Sequence, residues 1–304
     1  MTAASVPVVI EAPRSFIARH RVLENEQIRL GRVLAPPNHA YGLAGPSLKG
    51  SGNVLFFNLV VAGQGTIIQD DRRSWFDSGD FVFYASDRPH ELHFTSEHEV
   101  IGVAVPTARL GAYGRFIDVL TATRISSNDP VVSAVGTSVE AFERNIAAVG
   151  ASDRTRFLEH VVHAIETLSR HLAVEFKLIE PRRAAFLDSA EEVIRTNLAD
   201  PDLSPAMIAS ELSVSLRTLY SVFDHAETSV AGTIRRLRLD KCVADLIDPS
   251  QRHQPVGRIG AKWGFTSPSH FSAMFRRHYG VSPTEYRHLY SEVDDVDSMG
   301  EFRR

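Results

Sequence analysis

Cysteine is nearly absent from this 304-residue chain, where Cys242 stands alone. A lone cysteine excludes an internal disulfide framework and fits a reducing compartment. Long apolar runs are missing as well. No stretch reaches membrane-spanning length, and the first residues lack the basic-then-apolar plan of a secretory signal. The expectation is therefore a cytoplasmic protein with no membrane partner. A strong charge of one sign is also lacking, with 33 Lys/Arg against 37 Asp/Glu and a net charge of −4. With 43% hydrophobic and 23% charged residues, disorder over most of the length is excluded, and the chain is long enough for two cores.

The charge is unevenly placed. Between Ser213 and Tyr290 there are eleven Lys/Arg and six Asp/Glu, leaving 22 against 31 elsewhere. A basic end joined to an acidic body points to a nucleic-acid-facing region near the C-terminus.

That region contains a repeat. Ile208, Leu212 and Val214 recur as Ile259, Trp263 and Phe265 at an offset of 51, and Leu219 and Phe223 recur as Phe271 and Phe275 at 52. Each copy reads as a helix, a tight turn and a second helix. Tandem helix-turn-helix units present two recognition helices to DNA. Ser204 and Pro205 start the first helix, Ser213 and Gly264 supply the turns, and Ser215 and Ser267 cap the second helices. Ala209 and Gly260 fall where the paired helices approach most closely.

In the first copy Leu216, Leu219 and Phe223 are expected to point inward. Arg217, Thr218, Tyr220 and Ser221 are left outside, where arginine reaches guanine edges and hydroxyls reach bases or phosphates. In the second copy Phe271 and Phe275 point inward, with Ser269, His270, Ser272 and Ala273 outside. Arg276, Arg277 and His278 gather at that helix's end, placed for phosphates. The competing reading is a pair of solvated helix faces. Thr228 to Ile247 reads as a connecting helix of twenty residues, about 30 Å long at the α-helical rise. That length approaches the 34–36 Å of one duplex turn. Its Arg235, Arg236, Arg238 and Lys241 either rest near the DNA backbone or face solvent. Gly280 stops the last recognition helix, and Ser282-Pro283 starts a closing helix through Tyr286.

Upstream the pattern differs. Up to about Pro106 short apolar runs (Val54–Val61, Thr66–Ile68, Phe81–Tyr84, Glu91–Phe94, Val100–Val105) alternate with Gly/Asp/Ser turns, the rhythm of a barrel or sandwich. Helical stripes follow: Tyr113, Phe116, Ile117 and Leu120; then Val135, Val139, Phe142 and Ile146; then Phe157 through Leu172. They pack on the barrel or form a dimer seam. Residues 173–183 read as a linker, helices resume near Asp188, and the tail after Tyr290 reads as frayed.

Ile208-Ala209, Leu212, Ser215, Leu219 and Phe223, with Gly264-Phe265, Ser267-Pro268-Ser269-His270-Phe271-Ser272, Phe275-Arg276, Gly280-Val281-Ser282-Pro283 and Tyr286-Arg287, resemble the DNA-binding domain of the AraC/XylS family of bacterial transcription regulators. The resemblance implies two helix-turn-helix units on an asymmetric promoter element, often in a dimer, with bases read by Arg217, Tyr220, Ser221, Ser269, His270 and Ala273. Ala273 stands where the family often has arginine, so the second unit is expected to grip phosphate more than it reads bases. More distantly, Gly79-Asp80 through Ala85-Ser86-Asp87-Arg88-Pro89-His90 resembles the second motif of a cupin-like effector domain, without the first motif that would complete a metal site.

The expected fold class is α+β in two domains, a cupin-like β-barrel with helices and then an all-α tandem helix-turn-helix domain. The expected divisions are 1–107 for effector sensing, 108–180 for helical dimerisation, 186–290 for DNA binding and 291–304 for a flexible tail. The expected partners are double-stranded promoter DNA, a small organic effector, a second copy and RNA polymerase, with the protein on the bacterial nucleoid when bound. Its expected action is activation. Trp75, Tyr84, His90 and His93 are candidate effector contacts, each with a competing structural role. The alternative is a metal-dependent cupin enzyme with an accessory DNA-binding module. Metal chemistry needs three or four converging ligands, and alternation puts clustered His90 and His93 on opposite strand faces. Cys242, inside the connecting helix, reads as a packed hydrophobe rather than a nucleophile. No catalytic residue, metal or cofactor is assigned.

Overall fold

The computed structural model describes residues 8–11, 17–24, 28–42, 54–146, 148–223, 229–291 and 298–303. It divides into a sheet-rich unit (Met1–Leu110, Phe116–His171 and Asp295–Arg304) and a helical unit (Gly111–Arg115 and Leu172–Asp294). The fold class is the expected one, α+β in two domains.

The strands in chain order are β1 (Val8–Glu11), β2 (Ile17–Glu24), β3 (Arg29–Ala35), β4 (Asn38–Gly42), β5 (Val54–Ala62) and β6 (Gly65–Gln69). They continue with β7 (Arg72–Phe76), β8 (Phe81–Ala85), β9 (His90–Phe94), β10 (His98–Pro106), β11 (Arg124–Ile125) and β12 (Ser298–Arg303). One sheet has the order β1-β4-β9-β6-β7 and the other β11-β8-β5-β10-β3-β2-β12. Alternation buries one side of each strand between the sheets. Ile67, Phe76 and Phe94 of the first sheet meet Val60, Val82 and Val100 of the second in one core. β12 corrects the expectation of a frayed tail: it pairs antiparallel with β2, because an edge strand's open backbone groups accept another strand.

The helices of the sheet-rich unit are α1 (Gly114–Asp118), α2 (Pro130–Ile146) and α3 (Ala151–Glu175), the last of which runs on past His171 into the helical unit. A single helix was expected around Tyr113–Leu120. Instead a 3-10 segment, Thr107–Tyr113, precedes α1, because Gly111 takes the non-helical φ of +60°. α2 lies on the outer side of the second sheet. A Cβ on its Gly136 would stand 3.3 Å from Leu59 and 3.4 Å from Phe81, and Arg32 of β3 donates to buried Glu143 at 2.6 Å. Of the two roles open to this stripe, packing on the sheets is the one α2 fills. The sheet-rich unit thus takes in most of the 108–180 stretch.

The helical unit holds α4 (Pro181–Thr196), α5 (Pro205–Glu211), α6 (Leu216–Phe223), α7 (Val230–Ile247), α8 (Val256–Lys262), α9 (Pro268–Tyr279) and α10 (Pro283–Ser291). The expected linker at 173–183 shrinks from both ends. Buried Leu172 and Ala173 continue α3, and Pro181 at a first-turn position starts α4. α10 runs five residues past the expected end at Tyr286, to Ser291. Leu239, Cys242, Val243 and Leu246 of α7 pack with Ile259, Phe271, Phe275 and Tyr286 in one core. Cys242 is fully buried, with its thiol 3.9 Å from the Ile259 carbonyl and its pKa pushed up by burial. It is the packed hydrophobe expected.

Candidate functional site

Both helix-turn-helix units are built by the same hydrogen bonds. The Ser204 hydroxyl accepts from the Met207 amide at 3.4 Å and starts α5. At its end Ser213 has φ +55°, its amide donates to Ser210, and the Val214 amide donates to Ala209 at 2.9 Å. This is the two-bond closure of a helix by a left-handed residue. In the second unit Gly264 has φ +78°, its amide donates to Ala261, and the Phe265 amide donates to Gly260 at 3.0 Å. Ser215 then accepts from the Thr218 amide at 3.1 Å, as Ser267 accepts from His270 at 3.3 Å. A Cβ at Gly260 would lie 2.7 Å from the Phe271 ring, so that helix pair is as close as expected.

The reading faces separate cleanly. Leu219, Phe223, Phe271 and Phe275 are buried, while Arg217, Thr218, Tyr220, Ser221, Ser269, His270, Ala273, Arg276 and Arg277 are exposed, and Ser272 is half-buried. Two expectations need correction. Leu216 does not point inward: it is 42% exposed, because it occupies the first helical position, outside the stripe formed by Leu219 and Phe223. Thr218 is less available as a reader, since its hydroxyl is engaged with the Ser215 hydroxyl at 2.8 Å.

The cations also sort themselves. Arg276 is exposed but pairs with Glu285 at 2.9 Å. The Glu285 carboxylate also accepts from the Ser282 amide at 2.7 Å, and the Glu285 amide donates to the Ser282 hydroxyl at 3.2 Å, a reciprocal cap. The Ser282 bonds and Arg276 together pull the Glu285 carboxyl down to about 2. An exposed pair of this kind is weak, so Arg276 can exchange Glu285 for a phosphate.

On α7 neither reading of the basic residues holds for all four. Arg235 and Lys241 are exposed. Arg236 is buried and pairs with Asp240 at 3.5 Å. Arg238 is half-buried and donates to three carbonyls, Leu198 at 3.0 Å, Gly264 at 3.1 Å and Asp200. Burial lowers its pKa. Arg238 therefore ties the turn of the second unit to the segment between α4 and α5. Arg183 of α4 plays a similar part, donating to the Ser221 carbonyl at 3.0 Å and to Val222, which caps the C-terminal end of α6. Sequence spacing could not reveal either arginine's role, because the acceptors are backbone atoms 26 to 40 residues away. α7 spans 18 residues, from an N-cap at Ser229, and measures about 27 Å at the α-helical rise. Thr228, where the connector was expected to start, lies outside the described residues.

In the sheet-rich unit the four candidate effector contacts part company. Tyr84 and His90 face the space between the sheets. Their rings stack at 4.1 Å, and Phe56 stacks on Tyr84 at 4.8 Å. A Cβ on Gly42 would overlap the His90 ring at 1.9 Å, so only glycine leaves that ring its place. The Tyr84 side chain keeps partial exposure, yet desolvation pushes its phenol up to about 12. Burial lowers the pKa of His90. Buried Asn58 stands beside Tyr84, where its side-chain amide meets the phenol and partly offsets the rise in the Tyr84 pKa. Phe56 and Asn58 escaped sequence reasoning, because alternation alone does not say which face of a strand apolar on both sides meets the other sheet.

His93 and Trp75 lie on the opposite side of the first sheet, in register through Thr66. Trp75 is 44% exposed. His93 lines an open groove of about 420 Å3 with Glu11, Pro37, Asn38, His39, Phe94 and Thr95. His98 is buried elsewhere, stacked on Phe94 at 3.6 Å, and burial pulls its pKa down to about 4. His90 and His93 thus lie on opposite faces of their strand, as alternation required, and His98 is engaged with Phe94 rather than with either of them. Among the described residues no three His, Cys, Asp or Glu side chains are grouped to hold a metal ion.

The chain matches an AraC-binding-like domain family over residues 3–172 and a helix-turn-helix domain family over residues 208–288. It is 24% identical over 247 residues to the transcriptional activator NphR of Rhodococcus sp, covering 80% of this chain and 72% of that protein. It is 32% identical over 109 residues to the HTH-type transcriptional activator RhaR of Pectobacterium carotovorum subsp. carotovorum (strain PC1), covering 36% of this chain and 37% of that one. A similar solved structure is that of the AraC-like transcriptional activator CuxR, at 17% identity over 84% of this chain and 90% of that chain, with a TM-score of 0.45. With one domain family spanning more than half of the chain and the other lying over both helix-turn-helix units, the chain belongs to the AraC family of DNA-binding transcription regulators with an effector-binding domain.

Proposed function

We propose that the chain activates transcription from an asymmetric promoter element read by α6 and α9, under control of a small organic molecule held between the two sheets. The observation that carries the DNA half is the duplicated turn: the same pair of amide–carbonyl closures at Ser213 and Gly264, followed by the same serine cap. Arg217, Tyr220 and Ser221 are the base readers of the first unit. Ser269, His270, Ser272 and Ala273 offer the second unit shorter reach, with Arg276 and Arg277 as phosphate contacts. Activation is favoured by the relatives whose names carry that word.

The effector half rests on Phe56, Tyr84, His90 and Asn58. Stacked rings beside the buried Asn58 amide and the Tyr84 phenol suit a flat molecule bearing a carbonyl or carboxylate oxygen. A second copy of the chain and RNA polymerase complete the set of partners in this reading, and the bacterial cytoplasm, on the nucleoid when DNA is bound, is its place. No helix among the described residues is long and apolar enough to cross a membrane. No catalytic step belongs to this reading, and His90 and His93, on opposite faces of their strand, offer nothing to the metal-enzyme alternative.

Genomic footprinting with and without candidate small acids, followed by binding of purified protein to the recovered fragments, tests both halves. Asn58→Ala should abolish the response to the molecule while leaving the DNA preference intact. Equal binding to recovered fragments and random duplex, at moderate salt and in either condition, would sink the DNA assignment.

A further inference from the structure

We infer that the first unit recognises thymine methyl groups through Leu216 and Tyr220, an inference that rests on α6 being a DNA-reading helix. Leu216 and Tyr220 are 42% and 47% exposed, among the most exposed large hydrophobic side chains in the helical unit. Four residues apart, they stand one above the other on one side of α6. They flank Arg217 and adjoin Ser221, so their apolar surface is continuous with the face assigned to base edges.

The partner must be apolar, small and located among hydrogen-bonding edges. In a major groove only the thymine C5-methyl meets that description. Phosphate contact would leave Leu216 without use, since an isobutyl group has no donor or charge to offer an anion. Leu216 also sits at the first helical position, directly after the Ser215 cap. Recognition helices present their N-terminal residues to base edges. Tyr220 adds a ring face and keeps its hydroxyl for a base or phosphate.

The second unit lacks this feature. At the offset of 52, Pro268 and Ser272 stand where the first unit has Leu216 and Tyr220. Methyl reading by a pair of large side chains is therefore a property of one half of the promoter element, the second unit offering only the single methyl of Ala273, and this gives the element a direction independent of Arg217.

The probe is a randomised duplex library selected on the full-length protein, with the enriched duplex then resynthesised with deoxyuridine for thymidine one position at a time. That exchange removes only a methyl group. Wild-type protein should lose about fourfold in affinity at one or two thymines of a single half-site, the worth of one buried methyl. Leu216→Ala should bind the unmodified duplex about fourfold more weakly and lose its sensitivity to deoxyuridine at one of those positions. Leu216→Met, which keeps an apolar tip, should retain it. Uniform tolerance of deoxyuridine by the wild type, or unchanged sensitivity in Leu216→Ala, overturns the inference while leaving α6 a DNA reader. A library with no enriched sequence overturns the reading of α6 and this inference with it.

Discussion

Replacing Arg238 with alanine should loosen the join between the two helix-turn-helix units before it affects either unit internally. The side chain donates to the carbonyls of Leu198, Asp200 and Gly264. A hydrogen bond to a charged donor contributes about 1.5–3 kcal/mol when buried. Arg238 is only half-buried, so water can return to each carbonyl and about 1 kcal/mol per bond is the fair value. The variant should therefore lose about 3 kcal/mol. For a unit of about 120 residues, with an unfolding entropy near 2.1 cal/mol/K per residue, that lowers the melting temperature by about 12 °C. Calorimetry on the full chain reads the shift, and amide exchange resolved by peptide gives its location. Protection should fall around Leu198–Asp200 and around Gly264, and far less in α10. Arg238→Lys, with a single ammonium for three acceptors, should recover about a third of the loss. The variant should also discriminate less between duplexes whose half-sites differ in spacing by a base pair. Melting within about 2 °C of the wild type, with unchanged exchange at both segments, would refute the reasoning.

Arg217→Ala should erase preference at one or two base pairs, at about 1–3 kcal/mol; a selected consensus identical to the wild type's would show that Arg217 reads nothing. Arg276→Ala should weaken all duplexes alike and reduce the slope of log affinity against log salt by about 1; a changed consensus with an unchanged slope would make it a base reader instead. His98 has its pKa pulled from 6.5 down to about 4 by burial. Between those values the unfolded chain binds the proton and the folded chain resists it, so stability is full above about 6.5 and falls by up to about 3 kcal/mol towards pH 4. Urea midpoints of the sheet-rich unit at pH 7 and pH 4.5 should thus differ less in His98→Phe than in the wild type; equal pH dependence in the two would place the sensitivity in other groups.

The helical unit was far more legible in the sequence than the sheet-rich one. Its repeat survives because Ile208, Leu219 and Phe223 face one short partner helix, as Ile259, Phe271 and Phe275 do, so spacing alone carries the fold. The same spacing misplaced Leu216, since periodicity cannot tell where the partner helix ends. β1 to β4 gave no signal: β3 pairs with β10, almost seventy residues away, and segments such as Asn38–Gly42 alternate too little to stand out. β7, with two arginines and a serine in five residues, is held by its place beside β6 rather than by its own apolar content. Within the effector site, alternation separated His90 from His93 correctly. It could not show that Asn58 would lie beside Tyr84, because that meeting depends on the register of β5 against β8.

Gly264 and Ser213 occupy equivalent left-handed turns, yet only one is glycine. Ser213 is exposed and its side chain has solvent to itself, whereas a Cβ at Gly264 would stand 2.6 Å from the guanidinium of Arg238. The glycine therefore answers both the left-handed turn and a close neighbour, whereas Ser213 meets the turn alone. An engineer grafting new recognition helices onto this scaffold can exchange Ser213 for glycine or asparagine, which suit its left-handed backbone, but must move position 264 and Arg238 as one piece.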